Sequence, residues 1–487
     1  MIEKNKLFLR KQSIIYVIGS IAQASLPFLL IPLLTERMTP KEYGEYSLIY
    51  LTASLFGGIF YLGMTSALSR SYFEYESKYE RKAIYTSTFI LILIGAGLQI
   101  SISILFGKYI SFFLFKDFIH NKQIFWAFSY NVLNFLILHF ISYLRLKRYA
   151  LKSVFFSLLI PILSILLIQL TTSIHANNDI ILDTYRTLAL SNLIVFIFTV
   201  TNLLNEFRFN KLIFLNEYKP LLKFGLGTVF FAFSQYFFDL QDKLIVEKAV
   251  GLEVFGIYAA ISRLAFLSNV ILVTPFAFIW NPIMMEFRTK GNVQRIFRVA
   301  NNIYISIAGF LLIPIYIFSD NILKFSIKSN LIPLSELEIP FLVLSSGILV
   351  YGYLNIVSAG FLYSRKVYLI SFLLIPLVIF KFTLVYEFIE KFGLNGAAFA
   401  SLLSYIILIM LIHFFSKRYF NFKINLAVLL KVFLYIFITL PLISIIKYQY
   451  NNLIFDSFFS SFLIYLGFSF VYNSFNPKKI YSNITEL

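Results

Sequence analysis

Three features of this sequence predict an all-α polytopic membrane protein of about fourteen transmembrane helices, built as two parallel six-helix repeats plus two C-terminal helices. The first is composition: 59% of the 487 residues are hydrophobic and 14% charged, with a mean hydropathy of +0.80, whereas a soluble chain carries about 25% charge. The second is spacing. Apolar runs of about 20 residues, the length that takes an α-helix across a bilayer, follow one another from end to end between short charged knots. The third is repetition, since matching segments recur in the same order at an offset of about 210 to 215 residues. A transmembrane barrel would show alternating ten-residue segments, and the sequence has none.

Span 1 (12–34) opens on the basic stretch Lys4 to Lys11 and passes Ala22-Gln23-Ala24, which imitates a secretory signal with its small-residue cleavage site. Its apolar run continues to Leu34, too long for a signal peptide, so it reads as an uncleaved helix. Spans 2 to 6 are 46–68, 85–106, 124–144, 153–173 and 187–205, completing an N-terminal bundle over 1–210. Spans 7 to 12 are 224–246, 254–276, 296–318, 338–360, 366–386 and 395–415, a second bundle over 211–422. Spans 13 (426–446) and 14 (453–474) are appended with a short tail, in 423–487.

Basic residues orient these spans. With the N-terminus inside, about 27 Lys and Arg fall in inner segments, about 12 in outer ones and about 3 in helices. The knots "RLKRYALK" (145–152), "RTKGNVQRIFR" (288–298) and "SKRYFNFK" (416–423) are all inner, so both termini are expected on the cytoplasmic side. Trp126 and Trp280 fall at span ends, where interfacial anchors are expected.

The same distribution excludes other classes. The net charge of +18 comes from clusters beside apolar runs, with no groove-sized basic domain or nucleic-acid-binding motif. There is no cysteine, and the four histidines are scattered, so neither a disulfide nor a zinc site is expected. No connection between spans is long enough for a folded soluble domain. A sugar-nucleotide glycosyltransferase would need such a domain with metal-binding acids, and a polysaccharide polymerase would be expected to carry a large outer loop; no enzyme is expected.

The repeat is visible in three places. Tyr43-Gly44-Glu45-Tyr46 lies over Phe255-Gly256-Ile257-Tyr258, "SLLIPIL" (157–163) over "SFLLIPLV" (371–378), and "NEFRFNK" after span 6 over "SKRYFNFK" after span 12. An even-numbered unit repeats in the same orientation, so the copies are expected to relate by an axis along the membrane normal, the layout of many secondary transporters.

With that repeat, "SALSRSYFE" (66–74), Asp242-Lys243, Trp280-Asn281-Pro282 and "GLNGAAFASLLS" (393–404) make the whole chain resemble the Wzx-type polysaccharide flippases. These belong to the multidrug/oligosaccharidyl-lipid/polysaccharide exporter superfamily. The resemblance implies a V-shaped pair of bundles around a central cavity in the bacterial cell (inner) membrane. It implies an undecaprenyl-pyrophosphate-type lipid-linked glycan as cargo, and the polymerase and glycosyltransferases of the same pathway as partners. A cation-coupled multidrug exporter of the same superfamily is the alternative; the two appended helices and Arg263 speak against it, Asp239 and Asp242 for it.

Overlaying the copies isolates five charges. At an offset of 212, Asp239, Asp242, Lys243 and Arg263 stand over Pro27, Leu30, Ile31 and Leu51; at 215, Lys381 stands over Leu166. Arg263 falls about 13 Å, Asp239 about 10 Å and Lys381 about 8 Å below the outer ends of their spans. A charge facing lipid there costs at least about 2.5 kcal/mol, so protein or water should surround each one. Arg263 has two readings: an ion pair with Asp239 locking spans 7 and 8, or a cationic contact for the substrate pyrophosphate. Asp239 and Asp242 are candidates for binding a coupling H+ or Na+, or else the wet outer end of span 7. Lys243 and Lys381 are candidate substrate contacts, with stems long enough to reach outward instead. Arg70 is a candidate at the inner mouth or an interfacial anchor. Gln23, Asn131, Asn134, His139, Gln235 and Asn269 are polar groups expected to hydrogen-bond between helices.

Overall fold

The computed structural model describes residues 28–174, 179–286, 293–327, 332–364, 366, 368–422, 424–449 and 453–471. Among these residues there is no strand, and all the predicted spans they cover are mainly helical. Helix α1 is described over 28–35, so most of span 1, with Gln23 and Pro27, lies outside the described residues. Then follow α2 (Pro40–Phe60), α3 (Met64–Ser71), α4 (Lys78–Phe115), α5 (Asn121–Leu146), α6 (Ala150–Ile174) and α7 (Ile180–Leu203). The second part holds α8 (Lys211–Ala265), a π-helical turn (Asn269–Val273), α9 (Thr274–Glu286), α10 (Val293–Ile317), α11 (Ser319–Ser326) and α12 (Leu334–Gly352). Short α13 (Leu354–Val357) and α14 (Ala359–Tyr363) lead to α15 (Tyr368–Ser416), α16 (Leu426–Gln449) and α17 (Leu453–Val471).

Ten stretches of the described residues are long and apolar enough to cross a membrane. Two of these hold more than one predicted span: α8 breaks at Gly251 (φ 84°, ψ 170°) and α15 at Gly393 (φ 58°, ψ −139°), conformations that glycine adopts without strain. The helices outrun the predicted spans. α4 has 38 residues, about 57 Å at 1.5 Å per residue, against a hydrocarbon core of about 30 Å. Ser77 starts it, its side chain accepting from the Glu80 amide at 3.1 Å. Thr39 starts α2 the same way, with Glu42 closing a capping box. Large apolar side chains such as Leu93, Ile94, Leu98, Ile104 and Leu105 stay exposed on α4, as lipid-facing positions do.

The helices pack as two compact units, Met1–Ala260 with Ile370–Tyr386, and Ile261–Leu369 with Glu387–Leu487. In unit 1, buried polar groups join neighbouring helices. Gln99 donates to the Asn131 side-chain oxygen at 3.1 Å. His139 lies between the Thr65 and Thr88 hydroxyls, 3.2 Å from each, and stacks on Tyr85. Asn131 and His139 therefore have the interhelical role expected of them.

A close backbone approach in unit 1 falls at a repeated pair of glycines. A Cβ on Gly44 would lie 2.3 Å from the Leu252 carbonyl oxygen, and one on Gly256 would lie 2.0 Å from the Pro40 carbonyl oxygen. Adding 212 to Pro40 and Gly44 gives Leu252 and Gly256, so the contact maps onto itself under the sequence repeat. α2 and the segment after the Gly251 break thus meet on their repeat-related faces. In the turn between α2 and α3, the left-handed Gly63 (φ 63°) meets α8 at Gly225, where a Cβ on Gly63 would lie 2.3 Å from the Gly225 carbonyl oxygen.

In unit 2, Val428, Val432, Ile443 and Leu463 of α16 and α17 close on Phe310, Ile313 and Ile317 of α10. The expectation for Trp280 is corrected here: it is 3% exposed, donates its indole N–H to the Asn355 carbonyl at 3.1 Å and meets Phe297 edge-on. An indole whose one donor is satisfied inside the unit has no need of the interface.

Candidate functional site

Asp239, Asp242 and Lys243 occupy a single turn of α8, with Asp239 and Lys243 four residues apart on one face and half-buried. Asp242 turns inward and is 4% exposed. The early part of α15 brings Lys381 against it, with the ammonium 3.8 Å from Asp242 Oδ1 and side-chain exposures of 0% for Lys381 and 6% for Asp242. That spacing is an ion pair without a close hydrogen bond. The ammonium instead donates to the Phe238 carbonyl oxygen at 2.8 Å and lies 4.8 Å over the Phe238 ring.

A third segment completes this arrangement. After the Gly251 break the chain returns along α8, and the Tyr258 hydroxyl donates to Asp242 Oδ2 at 3.2 Å. The carboxylate thus meets one cation, as an ion pair, and one neutral donor, from different segments. Beside it Gln241 is 3% exposed, and neither its amide oxygen nor its nitrogen has a hydrogen-bond partner among the described residues.

The outward reach expected for Lys381 is not taken, because a buried carboxylate on α8 supplies the partner that the interface would otherwise have supplied. Its repeat counterpart Leu166 is 48% exposed on α6, so the two copies place this position in different surroundings. Leu30, the counterpart of Asp242, is buried like it. Sequence reasoning missed both the Asp242–Lys381 pairing and the part of Tyr258. The available signal was Lys381 in one apolar span and two carboxylates, Asp239 and Asp242, in another, charges that need a partner more than they need the surface.

Arg263 belongs to unit 2, half-buried, six residues before the π-helical turn. Such turns insert one residue and re-aim the helix that follows. Arg70, at the end of α3, is exposed. Its Nε lies 3.6 Å from Glu74 and its guanidinium 4.6 Å over the Phe224 ring.

Residues 9–288 match the family profile described as "Polysaccharide biosynthesis protein". Protein 1 of the Lsg locus of Haemophilus influenzae is 22% identical over 409 residues, covering 80% of this chain and 94% of that protein. Lipid II flippase MurJ in an inward closed conformation superposes with a TM-score of 0.67 at 12% identity, covering 96% of this chain and 98% of that one. The outward-facing structure of a multidrug resistance MATE family transporter of the MOP superfamily superposes with a TM-score of 0.62 at 16% identity, covering 84% and 95%. At such identities these structures show the shared fold. With the profile matching more than half of its length, this chain belongs to the polysaccharide biosynthesis protein family, on a multi-pass helical fold shared with these transporters.

Proposed function

We propose that the protein flips a lipid-pyrophosphate-linked oligosaccharide of the undecaprenyl type from the cytoplasmic to the outer leaflet, by alternating access, for cell-surface polysaccharide synthesis. The observation that carries this reading is a polysaccharide-biosynthesis family match on the fold of a lipid II flippase and of drug exporters. A pathway that builds a glycan on a lipid carrier inside the cell needs a step that turns the carrier over. In this reading the chain crosses the bacterial cell membrane fourteen times with both termini cytoplasmic. Its copies are 1–210 and 211–422, followed by the appended 423–487.

Arg263 is the residue proposed to meet the pyrophosphate, because a guanidinium fork in a low-dielectric setting matches phosphate oxygens. Lys243 is proposed as a second contact and Arg70 as a contact at the inner mouth. Lys381 reaches substrate only in a state in which it leaves Asp242. Arg263→Ala is expected to abolish export at normal protein level, with lipid-linked precursor accumulating and surface polysaccharide lost; Arg263→Lys retains part of the activity. A stable, fully active alanine variant removes Arg263 from the pyrophosphate. If loss of the protein left surface polysaccharide intact and raised sensitivity to cationic drugs, the exporter alternative would take its place.

Coupling is proposed to lie at Asp239. Asp242 already has a tethered ammonium, and a free cation at that carboxylate has to compete with it. Asp239→Asn is therefore expected to change the dependence of export on the H+ or Na+ gradient. Unchanged gradient dependence, measured in vesicles, leaves Asp239 only a structural part, including the proposed pairing with Arg263.

A further inference from the structure

At one end of unit 1 the turns after α3, α5 and α7 and the start of α4 enclose a cavity of about 580 Å³, within the range of small-molecule sites. Five cations line it, Lys78, Arg81, Lys82, Lys147 and Arg148, against one carboxylate, Glu206. That carboxylate is already shared: Lys147 Nζ lies 2.6 Å from one oxygen, and Lys82 Nζ at 3.5 Å and the Tyr143 hydroxyl at 2.8 Å take the other. Neutralising one cation, it leaves the lining four charges positive. Like charges held this close repel, and an anion in their midst relieves them.

Two further features shape how these cations are presented, one in a side chain and one in the backbone. Arg81 is held from two sides, its Nε donating to the Tyr75 carbonyl at 2.8 Å and its guanidinium lying 5.3 Å over the Tyr72 ring. Arg148 has φ 61°, the left-handed conformation that ends helices and that normally falls to glycine. The Tyr149 amide donates across it to the Leu144 carbonyl at 2.9 Å, closing the end of α5. Glycine would be free of strain there, so the arginine carries a backbone cost. Tyr149 adds an aromatic wall, 4.9 Å from Lys147 Nζ.

We infer that this cavity binds a phosphate-bearing anion at the ends of the spans, where membrane headgroups lie. The site is distinct from the buried pair between α8 and α15. The Tyr75 hydroxyl donates to Glu217 at 2.8 Å, fixing the start of α8 beside the cavity, and Asp242 lies about 38 Å farther along that helix. Phosphate has two sources here, a phospholipid headgroup and a free anion in water. The inference does not depend on which lipid is transported: the proposed function fails or stands on export, this site on binding by the purified protein.

Thermal unfolding of the full chain in detergent tests it, with titrations of phosphatidylglycerol, phosphatidylcholine of the same acyl chains, and inorganic pyrophosphate. Phosphatidylglycerol, pyrophosphate or both should raise the midpoint, and phosphatidylcholine should not. A response to the lipid alone assigns a headgroup site, and a response to pyrophosphate alone assigns a soluble anion. The half-effective concentration should rise at least about five-fold in Arg81→Gln and in Arg148→Gly, and stay unchanged in Lys417→Gln, an exposed cation of unit 2. Arg148→Gly separates binding from folding, since glycine relieves the left-handed residue and the unliganded midpoint should hold or rise. No response to either anion, or an undiminished response in both cavity variants, overturns the assignment.

Discussion

Replacing Lys381 with methionine is expected to destabilise the protein by about 3–5 kcal/mol, and adding Asp242→Asn to recover more than half of that loss. The magnitude follows from burial. Lys381 has no exposed surface and Asp242 almost none, so removing the ammonium takes a charged partner from a buried carboxylate that the neutral Tyr258 hydroxyl also contacts, at 3.2 Å. A buried carboxylate that loses a counter-charge is costly to keep in place. Asparagine asks for no counter-charge and can still accept from Tyr258, which is why the double variant is the informative one. Unfolding in detergent of the wild type, both single variants and the double variant gives the coupling directly. A Lys381→Met protein as stable as the wild type, or a double variant no better than Lys381→Met, would end the claim that this pair joins α8 to α15.

The same pair shows what the sequence alone can carry. Helix existence was legible because length and apolarity suffice for it: each covered span from 46–68 onward is mainly helical in the described residues, with turns interrupting 46–68 and 338–360. Helix ends were not, because hydropathy reports the hydrocarbon layer while the helix continues beyond it. Lys78 to Lys82, outside span 3, is the first turn of α4 and supplies three cations of the cavity. The direction in which a side chain points was not legible either. Trp280 at a span end reads as an anchor, yet its neighbours Phe297 and the Asn355 carbonyl, far away in sequence, draw it inside. Lys381 and Asp242 were each recognised as costly in lipid, but which partner meets which depends on packing that no local pattern encodes. Repetition is different, because it links distant segments by likeness. The offset of 212 read from Tyr43-Gly44 and Phe255-Gly256 is the offset under which the Pro40–Gly256 and Gly44–Leu252 contacts exchange.

That self-mapping contact leads to the second large expected effect. Gly44→Val is expected to cut export at least about tenfold while the protein remains in the membrane at normal amount. A valine Cβ at Gly44 would meet the Leu252 carbonyl oxygen at 2.3 Å, and the Gly256 amide nitrogen lies 3.4 Å from the same point. Both are backbone atoms of a helix and cannot rotate aside as a side chain does. Overpacking of this kind costs roughly 1–3 kcal/mol, and it falls only on states in which α2 and the segment after Gly251 touch. A carrier that alternates between such a state and an open one has its populations shifted by about that amount, enough to trap it open. Because the contact is symmetric under the repeat, Gly256→Val should reproduce the defect through the Pro40 carbonyl, and alanine at either position should give a smaller one. The chain has no cysteine of its own, so cysteines placed at Lys41 and Glu253 report the contact without background. Their bridging by a short bifunctional maleimide should be efficient in the wild type and weak in Gly44→Val. Normal export together with undiminished bridging in Gly44→Val would show that these glycines close no gate, and that the helices separate elsewhere during transport.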